Sequence, residues 1–178
     1  MDTCPICDHP QTGSLIELLR RIGNEKCDNR ALQVMLACDI AKHVCNLAPD
    51  PAQLAKWLAI AQAWEKDPVE LGQISEESYA QHSASWATAR DTANTSAIWA
   101  TMSAIGAAVA ATKGKKDLET FVRATATLAA AAVGGGPEED EEERAWQIAH
   151  IRELACTCPT IPEGDRTCQR GRNSILAH

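Results

Sequence analysis

From Asn29 to Cys156, large apolar residues recur three and four positions apart in a background of alanine, and nowhere do they alternate with polar residues over a strand-length run. That spacing gathers side chains on one face of an α-helix. The chain holds 31 alanines, and five of its seven aromatic residues are tryptophan. Alanine gives up no side-chain entropy on entering a helix, so the bias favours helices packed closely together. The pattern predicts an all-α fold: a single-domain antiparallel helical bundle of about six helices, with polar, Cys-bearing termini. At 178 residues the chain can bury a sizeable core without a covalent staple.

Three segments are expected: a polar Cys-x-x-Cys stub at 1–13, a helical bundle at 14–156, and a polar tail at 157–178 bearing cysteine and arginine. Leu15, Leu18, Leu19 and Ile22 mark a first short helix that Gly23 ends. A second, central helix runs from Asn29 to about Leu47, with Leu32, Leu36, Ile40, Val44 and Leu47 on its apolar face. Its remaining polar wedge is Asp39, Lys42, His43 and Asn46. Asp50 as N-cap and Pro51 at the first helical position open a third helix, which carries Leu54, Trp57, Leu58, Ala61 and Trp64. From Ser75 to Thr112 the sequence reads as helix almost throughout, with Arg90 to Thr95 as the weak point where the chain bends or reverses. Leu118, Val122 and Thr125 begin a fifth helix that stops at Gly134, and Pro137 begins a sixth that reaches about Cys156.

The cysteines divide by pattern. Cys38 and Cys45 lie on the apolar arc of the second helix, where a free thiol packs as a small hydrophobe. Cys27 sits in the turn before that helix, and either role fits it. No amphipathic pattern accounts for Cys4 and Cys7, and two thiolates at that spacing form the usual half of a tetrahedral zinc site. Cys156, Cys158 and Cys168 are available to complete it, so four of these five are the candidate metal ligands, with His9 as a substitute. The two ends meet if the bundle has six antiparallel helices and separate if the Asp91–Thr95 stretch reverses the chain. The cofactor expectation is therefore none, with the thiols unliganded on the termini, or one structural zinc as the alternative. A redox role for Cys4 and Cys7 lacks the preceding strand it requires.

Glu138, Glu139, Asp140, Glu141, Glu142 and Glu143 form an acidic run at the start of the last helix, where carboxylates are favoured by the exposed N–H groups. The run is also a candidate surface for a basic partner. His9, His43, His82, His150 and His178 have no nucleophile or acid at a spacing that implies catalysis, and are expected to be solvated or locally bonded. Gly134–Gly136 follows a helix and reads as a linker. The net charge of −7 and pI near 5.2 argue against general binding to a phosphate backbone. No export signal and no uninterrupted membrane-length apolar run is evident, so a cytoplasmic protein is expected.

The stretches LQVMLACDIAKHVCNLAPD, AQLAKWLAIAQAWEKDP and YAQHSASWATARDTANTSAIWATMSAIGAAVAAT resemble the alanine-rich, all-helical immunity proteins of bacterial polymorphic-toxin systems, which phages also carry. The resemblance covers roughly residues 30 to 133. Ala37-Cys38 with Ile40-Ala41 match that family's Ala-x-Cys-Ala-like helix core, and Ala61 to Trp64 match its aromatic-bearing helix. The family's aspartate-proline-arginine segment is replaced here by Pro49-Asp50-Pro51-Ala52-Gln53.

The resemblance implies a non-enzymatic factor, immunity-like or a phage-encoded inhibitor or accessory protein, that binds a protein partner stoichiometrically. A basic partner suits the charge, and pairing of two chains through alanine faces is a further expectation. A zinc-clipped module touching nucleic acid through Arg166, Arg170 and Arg172 is the alternative, and an enzyme of unknown class the third.

Overall fold

The computed structural model describes residues 30–86, 92–114, 117–134 and 137–157. They form six helices: α1 (Arg30–Val44), α2 (Pro51–Gln62), α3 (Pro68–Trp86), α4 (Thr92–Lys113), α5 (Leu118–Val133) and α6 (Pro137–Thr157). A 3₁₀ turn, Cys45–Leu47, follows α1, and there is no strand among the described residues. The fold is an all-α bundle. The helix expected at 14–23 lies outside the described residues, as do the stub at 1–13 and residues 158–178 of the tail.

Two helices begin with the same device. Asp50 precedes Pro51, and its carboxylate accepts the Gln53 N–H at 3.0 Å. Asp67 precedes Pro68, and its Oδ1 accepts the N–H groups of Val69 and Glu70 at 3.1 and 2.8 Å. Each aspartate satisfies donors that the first helical turn leaves without partners, and each proline sits where its missing N–H is not needed. The second cap starts α3 at Pro68, seven residues before the expected start at Ser75.

The stretch 75–112, read as helix with a bend or a reversal at Arg90 to Thr95, belongs to two helices. α3 and α4 pack side by side, and only residues 87–91 join them. Five residues span at most about 18 Å, whereas the 19 residues of α3 extend about 28 Å. The connection is too short to return to the start of α3, so the helices are antiparallel and the chain reverses between Trp86 and Thr92. The count of six helices that would bring the two Cys-bearing ends together treated 75–112 as one element. Among the described residues that stretch is two helices, and the first helix of that count, at 14–23, lies outside them.

α4 and α5 make the most extensive helix pair, and α1 packs on both. Small side chains permit this closeness: Ala100, Ala104, Ala107, Ala108 and Ala111 of α4 are fully or almost fully buried, as are Ala126, Ala129 and Ala132 of α5. Larger residues fill the spaces around them. Leu36, Ile40 and Val44 of α1, Trp57 and Leu58 of α2, Leu71 of α3, Ile105 of α4 and Val122 of α5 are all buried, each contributing about 1.5–3 kcal/mol of transfer free energy. The buried hydroxyls of Thr101 and Thr125 donate to the Ala97 and Phe121 carbonyls one turn back. Arg30 reaches across from α1 and donates to the Ala111 carbonyl at 3.0 Å, near the end of α4. Gly114 ends that helix with a φ of 118°, a conformation that a side chain would strain.

By length and composition alone, Ala93–Lys113 within α4 could cross a membrane. Serine, threonine and glycine interrupt its apolar runs. α1, α2, α3 and α5 all pack against this helix, and half of the apolar span is buried within the bundle.

Candidate functional site

A groove of about 730 Å³ opens between α3, α4 and α5. α4 supplies its floor through Trp99, Met102, Ser103, Gly106, Val109, Ala110 and Lys113, which recur at helical spacing along one face. α3 forms one wall with Ser75, Glu76, Ser78 and Tyr79, and Asp117 and Phe121 contribute from the start of α5. Tyr79 is 68% exposed. Gly106 is required by a close approach: a Cβ there would lie 2.7 Å from the Phe121 ring. Helix propensity disfavours a glycine at that place by about 1 kcal/mol. Without it, Phe121 would be pushed out of its seat on the groove floor. Among the described residues, the charged groups lining the groove are Glu76, Asp117 and Lys113, and no histidine or cysteine lines it.

A second constellation lies where α6 meets α1. The side chain of Glu143 is 1% exposed, and its Oε2 lies 2.8 Å from His43 Nδ1. Gln147 Nε2 donates to Glu143 Oε1 at 2.9 Å and to the Ala126 carbonyl of α5 at 3.1 Å. With Oε1 already accepting a hydrogen bond, the carboxylate is the natural acceptor at Oε2 as well. The His43 proton is therefore assigned to Nδ1, with Nε2 turned away from the pair. A parallel arrangement joins α6 to α1 and α2. His150 Nε2 lies 3.1 Å from Asp39 Oδ2, Gln62 Nε2 donates to Asp39 Oδ1 at 2.7 Å, and Lys42 Nζ donates to Gln62 Oε1 at 3.0 Å. Trp146 stacks on both imidazoles, at 3.8 Å from His43 and 5.0 Å from His150. One acceptor in this seam, Gln147 Oε1, is buried without a hydrogen-bond partner among the described residues.

The acidic run divides across this seam. Glu141 and Glu142 are exposed and Glu143 is buried, so Glu143 belongs to the helix interface and not to a surface patch. Residues 138–140 lie in the first turn of α6, where their backbone is described but their side chains are not. His43 and His150 are locally bonded, one of the two outcomes expected for them. Their placement in a polar interface between helices carried no pattern in the sequence.

Trp57 and Trp64 are buried core residues, as expected. Cys38 is fully buried and Cys45 partly so. Burial, reinforced by the neighbouring Asp39 charge and partly opposed by Lys42, pushes the Cys38 thiol from its ordinary 9.0 to about 12. Burial also pushes the Cys45 thiol up. The folded state then holds the Cys38 proton while the unfolded chain loses it. Stability from the protonated thiol is intact below pH 9 and declines as pH rises towards 12. Peptide mapping after iodoacetamide treatment at pH 8 should find Cys38 unlabelled in the native protein and labelled in urea. Equal labelling in both states would contradict its burial.

Cys4, Cys7, Cys158 and Cys168 lie outside the described residues, and Cys156 is placed only by its backbone in the last turn of α6. Among the described residues, no three His, Cys, Asp or Glu side chains form a group that could hold a metal ion. The chain matches no known family model, curated protein or solved structure.

Proposed function

We propose that this chain is a non-enzymatic, cytoplasmic protein-binding factor, immunity-like or phage-encoded, that acts by stoichiometric binding to a partner protein. The groove between α3, α4 and α5 carries the reading. Its exposed tyrosine, half-buried tryptophan and methionine, and small-residue floor are what an interface uses to seat an apolar anchor. The chain's acidity supports a basic partner, because opposite charge speeds encounter and fixes register more than it deepens affinity. The polar seam supports the other half of the reading, since its two carboxylates and two histidines are engaged in joining helices.

The test is affinity capture on the tagged full chain from its native host, followed by light scattering on the purified complex. A complex of fixed stoichiometry that weakens as salt rises is expected. Failure to isolate any stoichiometric complex would remove the proposal.

A further inference from the structure

The seam between α1 and α6 leaves one imidazole nitrogen unengaged, and we propose that this atom, His43 Nε2, is a phosphoryl-acceptor site. It takes a phosphoryl group from an activated donor of the phosphoramidate or acyl-phosphate class. The site is separate from the groove and does not depend on the protein-binding reading.

The two histidines of the seam share Trp146 but differ nitrogen by nitrogen. His43 meets Glu143 Oε2 through Nδ1 at 2.8 Å, and that carboxylate is 1% exposed. Gln147 holds its other oxygen at 2.9 Å. An acceptor buried and held in this way keeps the His43 proton on Nδ1, which leaves the Nε2 lone pair free to react. The His43 side chain is 42% exposed. Trp146 covers its ring at 3.8 Å, with 12° between the planes. Because the lone pair lies in the ring plane, the indole fixes the imidazole without covering the nitrogen. His150 is the reverse case. Its Nε2 is the atom that meets Asp39, at 3.1 Å, its Nδ1 lies 4.0 Å from Glu153 Oε2, and its side chain is 21% exposed. A carboxylate on one ring nitrogen raises the basicity of the other, and of the two it is His43 that turns the activated nitrogen outward.

In the transfer, the Nε2 lone pair attacks phosphorus and the bond from phosphorus to the leaving atom breaks, its electron pair departing with that atom. Phosphoramidate carries its proton on nitrogen, so ammonia leaves and no further proton is needed. The ring becomes a cation with its proton still on Nδ1, where Glu143 Oε2 offsets the new charge. An acyl group on the same nitrogen would pass to water, because an acylated imidazolium is itself a strong acyl donor. The phosphoryl product is instead a zwitterion whose cationic side faces Glu143. Of the other charges nearby in the chain, Glu141 and Glu142 are exposed ahead of Glu143, and Lys42 donates to Gln62. Those two carboxylates oppose an anionic donor, so the reaction is best followed in salt that screens them.

The full-length chain is treated with potassium phosphoramidate in high salt, native and in urea, and phosphohistidine is located by peptide mapping under alkaline conditions. His43 is expected to react at least about fivefold faster in the native chain than in urea, with phosphorus NMR placing the product on Nε2. His150 is expected to react more slowly native than in urea. Glu143→Gln keeps the shape and removes the anion, and should cut the native His43 rate by at least about fivefold while His150 stays as slow as before. A loss of structure would instead release His150 from Asp39 and raise its rate; in that event the native-to-urea ratio of the unaltered chain decides. The proposal is overturned by a native His43 rate no greater than the rate in urea, by a product on Nδ1, or by an unchanged His43 rate in the Glu143→Gln chain.

Discussion

Replacing Glu143 with alanine is expected to lower the unfolding free energy by about 2–3 kcal/mol. The carboxylate meets His43 Nδ1 and Gln147 Nε2 in a site where its side chain is 1% exposed. Removing it leaves Gln147 with the Ala126 carbonyl as its one hydrogen-bond partner among the described residues and opens a void between α6 and α1. His43 loses less, because its side chain is 42% exposed and its Nδ1 can turn to water. Urea denaturation would read the change, and a fall in Tm of about 5–10 °C should accompany it for a chain of this length. Hydrogen exchange should show α6 loosening before the rest, since its packing against α1 and α5 runs through this seam. A loss below about 0.5 kcal/mol would mean that desolvating the carboxylate already offsets the bonds it makes. The seam would then contribute orientation without net stability.

The second large effect is expected from Ala108→Leu. Ala108 is fully buried in α4, the helix that α1, α2, α3 and α5 all touch. Leucine has good helix propensity, so the cost arises from volume and not from the backbone. Three added carbons must displace neighbouring helices, at about 2–3 kcal/mol. Thermal unfolding would measure it. A neutral result would show that the alanine faces are loosely packed, which is the condition under which they would serve pairing between chains.

Much of the architecture was legible because its causes are local. The apolar stripe of α1, the Asp50-Pro51 cap and the Leu118–Thr125 start of α5 are each set by residues a turn or two apart. The start of α3 was equally local, since Asp67-Pro68 repeats the Asp50-Pro51 device. Its signal is weaker because, among the described side chains of α3, the core apolar residues are Leu71 and Ile74. The reversal between Trp86 and Thr92 was harder to read. The intervening Ala-Thr-Ala-Arg-Asp has no glycine or proline, and alanine propensity continues through it.

The functional features depend on contacts between distant residues. Asp39, Lys42 and His43 formed a polar wedge on α1, and periodicity alone assigns such a wedge to solvent. The structure instead lays α6 against it. α6's inward face reads Glu143, Trp146, Gln147, His150 and Ile151, with polar groups where an apolar stripe would be expected. Two polar faces that satisfy each other leave no hydropathy signal in either strand of sequence. The groove needs three helices and a reversal before it exists, and its residues divide between stripes that each look like ordinary core.

Site-specific photocrosslinking of the host-derived complex is the most direct measurement of the central claim, that the groove seats the partner. Benzoylphenylalanine placed at Met102, on the groove floor, is compared with the same group at Glu142, exposed on the second turn of α6. The account predicts a covalent product from position 102, mapping to one segment of the partner, and little or none from position 142. Crosslinking from position 142 with none from position 102 would place the partner on the acidic turn and contradict the account.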